Sequence, residues 1–486
     1  MKNVVVIGAG MGGLAVAIRL AAKGHAVTVF ERNEGPGGKL SFFEQDGFAF
    51  DAGPSLFTQP QNLEDIFRAA SEPIEEYLTY RKVPVACHYF WEDGSHVKAH
   101  TDKHLFAAEL EQQLGEDPEV IVRYLQNAEK AYEHIGRIFL DHSLHKTGTW
   151  LNKRILPALS ATRLHYIMQS MHDYHEHHFR SPKTVQLFDR FATYNGSNPY
   201  KAPAMLSMIP HLEQNEGTFY PEGGMISITN ALYRLALKKG VRFVFDTKVE
   251  RILVVEYEVI GVETDQGEYR SDMVISNMDV YYVYRDLLRD EERAASVLKR
   301  ERSSSALIFY WGIDKLFPEL HLHNIFFSED YRTEFRRLFE TGELHDDPTI
   351  YINITSKMED VHCPPGTENW FVMVNAPAHR GQDWKALQQK VRENVLRKLS
   401  RMLQIDIEPL IRTERVLDPV GIETNTLSYM GSLYGTSSNS IWSAFLRHRN
   451  VSSSLKGLYF TGGSVHPGGG IPLCLKSAKI VSEAVG

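Results

Sequence analysis

Residues 1–40 read MKNVVVIGAGMGGLAVAIRLAAKGHAVTVFERNEGPGGKL. Val4, Val5, Val6 and Ile7 make the short β-branched run expected of a strand buried on both faces. It feeds straight into Gly8, Gly10 and Gly13, spaced G-x-G-x-x-G. A helical stripe of Leu14, Ala17, Ile18 and Ala21 follows and stops at Gly24; a second apolar strand, residues 26–30, ends at Glu31. Each piece has a physical task. Gly8 permits the tight turn, Gly10 leaves the backbone open to a pyrophosphate, and Gly13 lets the helix lie close on the strand. The helix N-terminus offers free N–H groups and the positive end of its dipole. Glu31, 18 residues past Gly13, is placed to accept hydrogen bonds from an adenosine ribose. Strand, glycine turn, helix, strand and acid together predict a doubly wound α/β unit that binds a dinucleotide.

The fingerprint by itself serves nicotinamide and flavin dinucleotides alike. Gly35-Pro36-Gly37-Gly38-Lys39 comes within eight positions of Glu31, where a nicotinamide domain would usually begin another helix. A glycine pair followed by a cation suits backbone folded over a diphosphate and ribityl chain. On these residues the sequence resembles the FAD domain of the glutathione-reductase and amine-oxidase superfamily, whose pattern ends in a glycine pair and Arg or Lys. The resemblance implies FAD, held non-covalently.

At 486 residues the chain is too long for one ordinary core, so two interleaved units are expected. A net charge of −8 without long charged blocks argues against nucleic acid as a partner. Cys87, Cys363 and Cys474 are far apart, with no C-x-x-C, which indicates neither a disulfide framework nor a zinc site and favours a reducing compartment. The apolar start is punctuated too early by glycine for a signal peptide, and no run of about 18 apolar residues is present to span a membrane.

Along the chain, Phe48 to Ser55 (FDAGPS from Phe50) reads as a strand ending in a rigid Gly-Pro turn, suited to holding backbone against a planar ring. Residues 82–91 and 94–99 look like a hairpin, and Asp117-Pro118 opens a helix with a stripe of Ile121, Leu125, Ala128, Tyr132, Ile135 and Phe139. Residues 150–171 read as another helix, in which Trp150, Ile155, Leu159, Leu164, Ile167 and Met171 interleave with Lys153, Arg154 and Arg163. Such a helix is either core beneath a solvated face or a membrane-surface element. His172, His175, His177 and His178 crowd together without an H-E-x-x-H, so a polar surface segment is expected rather than a metal site. After the turn TFYPEGGM (218–225), a helix with Ile228, Leu232 and Leu235 inward ends at Gly240. Strands at 241–245 and from Lys248, then at 272–277, are expected to resume the doubly wound pattern. Residues 290–420 look like an α+β unit, with strands at 306–311 and 369–374 and a long amphipathic helix after Asp383. Its clusters Phe309, Tyr310, Trp311, Phe326, Phe327, Trp370 and Phe371 suit core packing, with some available to an apolar tunnel.

The second anchor is GLYFTGGSVHPGGGIP (457–472), again strand, glycine turn and a helix started by proline. If that helix points at a flavin pyrimidine, its positive end stabilises charge on the reduced ring. The N-terminal block with GPGGK and FDAGPS, the central YPEGGM and this last block are, in order and wording, similar to the bacterial-type carotenoid desaturases, the phytoene desaturase family. Among members the sequence resembles the 3,4-desaturases of hydroxylated carotenoids. The fold this implies is a Rossmann-type FAD-binding domain (residues 1–80, 216–290 and 421–486) with an α+β substrate domain (81–215 and 291–420). The cofactor residues it implies are Gly8, Gly10, Met11, Gly12, Gly13, Glu31, Arg32, Gly38 and Lys39, then Gly53, Pro54 and Ser55, then Val249 and Asn277. Gly463, Ser464, Gly470, Ile471 and Pro472 complete the set. Ser464 stands where many amine oxidases carry an acid, and Arg447-His448-Arg449 is a departure from relatives. No metal is called for.

The activity implied is desaturation of a long isoprenoid polyene, such as a 1'-hydroxy-γ-carotene, by hydride transfer to flavin N5 and loss of a proton. No base stands out; Glu423, Tyr429 and Tyr434 precede the last block and are the candidates. Oxygen or a quinone is the expected electron acceptor, and the inner face of the cytoplasmic membrane, contacted peripherally, the expected location. Phytoene desaturase, flavin amine oxidase and carotene cis–trans isomerase remain alternatives within the fold. A prenyl-binding escort protein is the non-enzymatic alternative, against which the intact glycine fingerprints argue.

Overall fold

The computed structural model describes residues 1–143 and 169–485. The expected helix over 150–171, with its basic and apolar residues, lies outside the described residues up to 168. Strand β1 (Asn3–Ile7), helix α1 (Met11–Ala22) and strand β2 (Ala26–Phe30) form as the first forty residues predict. They sit at the centre of a five-stranded sheet ordered Leu458–Phe460, Met273–Ser276, β1, β2, Arg242–Val244, every pair parallel. Helix α1 is buried between this sheet, the helix Ile226–Lys238 and the C-terminal helix Ile471–Val485. Strands drawn from both ends of the chain and from its middle therefore share one layer.

One strand departs from expectation. The segment from Lys248 does not resume the parallel sheet; Val249–Val255 pairs antiparallel with Glu258–Thr264, which pairs with Gly267–Arg270. Arg242–Val244 alone joins β2. Short apolar runs look alike in either setting, and the hairpin at Glu256-Tyr257 decides the outcome.

The second layer is a seven-stranded, mostly antiparallel sheet, ordered Ile411–Leu417, Ser305–Ile313, Glu368–Ala376, Ile350–Asn353, His323–Phe326, Val85–Phe90, His96–His100. Its second strand shows how one sequence builds two surfaces. Leu307, Phe309, Trp311 and Ile313 pack with Trp370, Val372 and the helix Trp384–Met402. Ala306, Ile308 and Tyr310 point the opposite way, toward Phe48, Phe50 and Phe371. The period-two alternation of a strand separates helix-backed core from the other face.

The histidine-rich helix Met171–His178 corrects the surface reading. His172 and His175 are buried, and both bond Asp189, through Nδ1 at 2.6 and 2.7 Å. Ser207 Oγ lies 3.1 Å from His175 Nε2, so the connectivity is that of a Ser–His–Asp triad. It is packed against Tyr124, Phe179 and Phe188 and does not border the large cavity described below, so it serves the core. His177 is exposed and bonds its own helix. Among the described residues no group of three or more His, Cys, Asp or Glu could hold a metal, and no helix is long and apolar enough to cross a membrane.

Candidate active site

Gly8 turns the chain at the end of β1 with φ +94°, in the left-handed region that favours glycine. A Cβ on Gly13 would fall on the Gly8 carbonyl oxygen, so α1 starts in direct contact with the turn. Asn277, just past its strand, fills the space beneath the glycines. A Cβ on Gly10 would lie 2.7 Å from its Nδ2, and one on Gly12 2.6 Å from its Oδ1. Glu31 reaches back to the same turn, where Oε2 accepts from Ala9 N at 2.8 Å and Oε1 from Asn33 N at 3.0 Å. The second glycine segment docks here too, since Gly37 N donates to Ala9 O at 2.9 Å and Gly10 bridges Gly37. From the far end of the chain, Gly462 brings its backbone N within 2.9 Å of where a Gly12 Cβ would stand. The two glycine turns meet.

Above them opens a cavity of about 1220 Å³, larger than the ~300–1,000 Å³ of an ordinary small-ligand pocket. One part is walled by the glycine turns, Glu31, Lys39 and the start of the C-terminal helix. The other is walled by side chains of the seven-stranded sheet, among them Ile308, Tyr310, Phe371 and Met373. Lys39 sits at the junction and donates from Nζ to Leu433 O at 2.7 Å. Burial lowers it to about 8, against the pull of the nearby Asp279 carboxylate. Asp279 is itself held by the buried guanidinium of Arg302.

The sequence-derived cofactor residues converge on this cavity. Gly8, Gly10, Met11, Gly12, Glu31, Arg32, Gly38, Lys39, Gly53, Pro54, Ser55, Val249, Asn277, Gly463, Ser464, Gly470, Ile471 and Pro472 all line it. Gly13 lies behind the wall, where it lets α1 approach the turn. Ser464 Oγ accepts from Val280 N at 3.1 Å, and Asp279, which sequence reading missed, adds a carboxylate beside Glu31 to the cavity lining. Of the three base candidates only Tyr434 reaches the wall. Glu423 accepts from the Tyr282 hydroxyl, and Tyr429 stacks on Tyr281 with ring centroids 3.8 Å apart. Both correct the expectation that they reach the cavity: their polar and aromatic surfaces are spent on neighbours.

Sequence reading also missed a buried polar group on the sheet side. Arg190 pairs with Glu213 at 2.8 Å, Tyr194 donates to the same carboxylate at 2.7 Å, and all three line the cavity with His323 and Tyr351. Arg190 and Tyr194 share one short helix, but Glu213, His323 and Tyr351 come from three other elements, so no local motif marks the group.

The profile of the flavin-containing amine oxidoreductases matches residues 11–486. The chain belongs to that family. A 1-hydroxycarotenoid 3,4-desaturase from a Flavobacterium is 48% identical over 100% of this chain and 99% of its own length. A 4,4'-diaponeurosporene oxygenase from Staphylococcus aureus is 33% identical over 100% and 98%. These full-length matches put the chain, within the flavin oxidoreductases, on the bacterial carotenoid-desaturase branch. An oxidoreductase from Methanosarcina mazei shares the fold, with TM-score 0.65 at 16% identity, over 99% of this chain and 100% of that one. The family's flavin fits the residues present. Side-chain-free backbone at Gly10 and Gly12, the N-terminus of α1 and the Glu31 carboxylate face one cavity of about 1220 Å³.

Proposed function

We propose that this flavin oxidoreductase is an FAD-dependent carotenoid desaturase, and specifically a 3,4-desaturase of a hydroxylated carotenoid. The observation that carries the reading is continuity: one cavity joins the dinucleotide-type turns to a chamber lined by apolar and aromatic side chains with a few buried polar groups. A polyene has almost no polar handle, so an apolar chamber that fixes its position is the recognition it needs. The relative with 48% identity supplies the finer assignment.

FAD, which the residues of the two turns would hold, would supply the hydride acceptor. The chain's own part is placement and electrostatics. Ile308, Tyr310, Phe371 and Met373 hold the hydrocarbon and exclude water. Lys39, largely protonated at neutral pH, and the N-terminus of the C-terminal helix set positive potential along the wall where negative charge must develop. Overall, a hydride leaves one carbon for the acceptor, a proton leaves its neighbour and passes to solvent, and the C–C single bond becomes double. Cys474 lines the cavity as a thiol that burial pushes up to about 11, which suits a flavin held without a covalent bond. Oxygen or a quinone takes the electrons onward. The apolar substrate and the 71% exposed Trp442 support peripheral contact with a membrane surface.

The test is expression in a host that accumulates hydroxylated, partly saturated carotenoid. The expected pigment is red-shifted and lighter by two hydrogens. An unchanged chromophore, with FAD bound to the purified protein, overturns the reading.

A further inference from the structure

A polar row crosses the sheet side of the chamber. Ser55 Oγ lies 2.7 Å from the Tyr351 hydroxyl, which lies 2.7 Å from His323 Nδ1. All three line the cavity, with the Arg190–Glu213 pair on the same wall. Taken alone, two hydroxyls and an imidazole leave the proton order open. Their neighbours fix it. Asn353 Nδ2 donates to Leu322 O at 3.0 Å, because a carbonyl only accepts, and the same amide faces His323 Nδ1 at 3.2 Å. Nδ1 is therefore the lone-pair nitrogen, its one lone pair shared between this amide and the nearer Tyr351 hydroxyl. Burial, with the Arg190 charge adding to it, pushes His323 down to about 3, so the ring stays neutral with its proton on Nε2. Tyr351 must then donate to Nδ1, and Ser55 must donate to Tyr351. Ser55 has one proton and has used it. The open end of the row is a pure acceptor.

We propose that Ser55 Oγ is a subsite for the hydroxyl on the polyene's end group, selecting an alcohol over an ether or a hydrocarbon. This rests on the desaturase reading above and deepens it. An alcohol donates to Ser55 and satisfies it. An ether sets one acceptor against another, and a hydrocarbon leaves the oxygen unpaired away from water. The position suits the chemistry. Ser55 is two residues from Gly53, whose missing Cβ lets the chain lie against the Lys39 carbonyl at the edge of the groove. In the Flavobacterium relative the named hydroxyl carbon, 1, is two carbons from the bond at 3,4. A hydroxyl anchor must then lie close to the reacting bond, and Ser55 lines the same cavity as the glycine turns.

Three matched polyenes test this: the alcohol, its methyl ether and the parent hydrocarbon. On FAD-loaded wild-type protein, kcat/KM for the alcohol is expected to exceed both others by about tenfold or more. Ser55→Ala brings the alcohol-to-hydrocarbon ratio toward one, whatever happens to the absolute rates. Tyr351→Phe returns the Ser55 proton to use and raises the ether relative to the alcohol, which a merely structural role for Tyr351 would not do. Equal wild-type kcat/KM values for alcohol and hydrocarbon, or a ratio unmoved by Ser55→Ala, overturn the subsite. If wild-type protein converts none of the three, the desaturase reading fails instead. The ratio of their Kd values then decides the subsite by the same tenfold criterion.

Discussion

Two glycines three positions apart in the same turn carry different burdens, and substitution should separate them. A side chain at Gly10 meets the amide end of Asn277, which can move aside, and then projects into the cavity. Gly10→Val is expected to keep its far-UV circular dichroism and purify without the yellow flavin absorbance. A side chain at Gly13 meets a backbone oxygen that cannot move. Gly13→Ala is expected to lose about 3 kcal/mol or more of stability in denaturant titration, with flavin lost alongside. The turn was legible because its constraint is local: glycine spacing, a strand before and a helix after. His172 and His175 were misread because their partner, Asp189, lies on the next helix, beyond the reach of any spacing rule. Arg190 with Glu213, and Asp279 with Arg302, escaped for the same reason.

At the level of elements, the strand Phe48–Asp51 and the helix Ile226–Lys238 are joined by one carboxylate. Asp51 accepts from Met225 N at 2.8 Å and Ile226 N at 3.1 Å, capping the helix from a distant strand. Burial raises it to about 6 from an ordinary 3.8, although both N–H groups favour its charge. The folded chain therefore takes up this proton near pH 6 and the unfolded chain near pH 4. Between the two the folded state binds more protons, so this group's contribution to stability falls as pH rises through that window. Asn at this position keeps an acceptor and removes the titration. The Tm of Asp51→Asn relative to wild type is expected to climb between pH 4 and pH 7, by the equivalent of about 1–3 kcal/mol. A constant difference across that range would show that Asp51 does not titrate there. FDAGPS announced a strand and a turn, but the helix that Asp51 caps lies some 170 residues away and was not legible. The strand from Lys248 was placed in the wrong sheet because its run of valines and isoleucine suits either pairing.

Across the whole molecule, the cavity is bounded by both ends of the polypeptide and by both sheets. Ligand binding there should report on the entire fold. FAD at a hundredfold excess over its Kd is expected to add about 2.7 kcal/mol to stability. A melting curve followed by flavin fluorescence and by circular dichroism should then shift upward as one transition. Flavin release well below the loss of secondary structure would mean that the two turns part before the sheets do. The doubly wound architecture and its joining of N- and C-terminal blocks were legible in three motifs. Of the chamber only Tyr310 and Phe371 were legible, as aromatic residues available to an apolar tunnel; the rest of its wall is single side chains brought together from separate strands and loops.

The alternation along Ser305–Ile313 gives an engineer two independent controls on one segment of backbone. Replacements at Ile308 and Tyr310 re-contour the compartment proposed to receive the pigment, while Leu307, Phe309 and Trp311 keep the foundation unaltered. A change of pigment can thus be sought at every second position with the others left as they are.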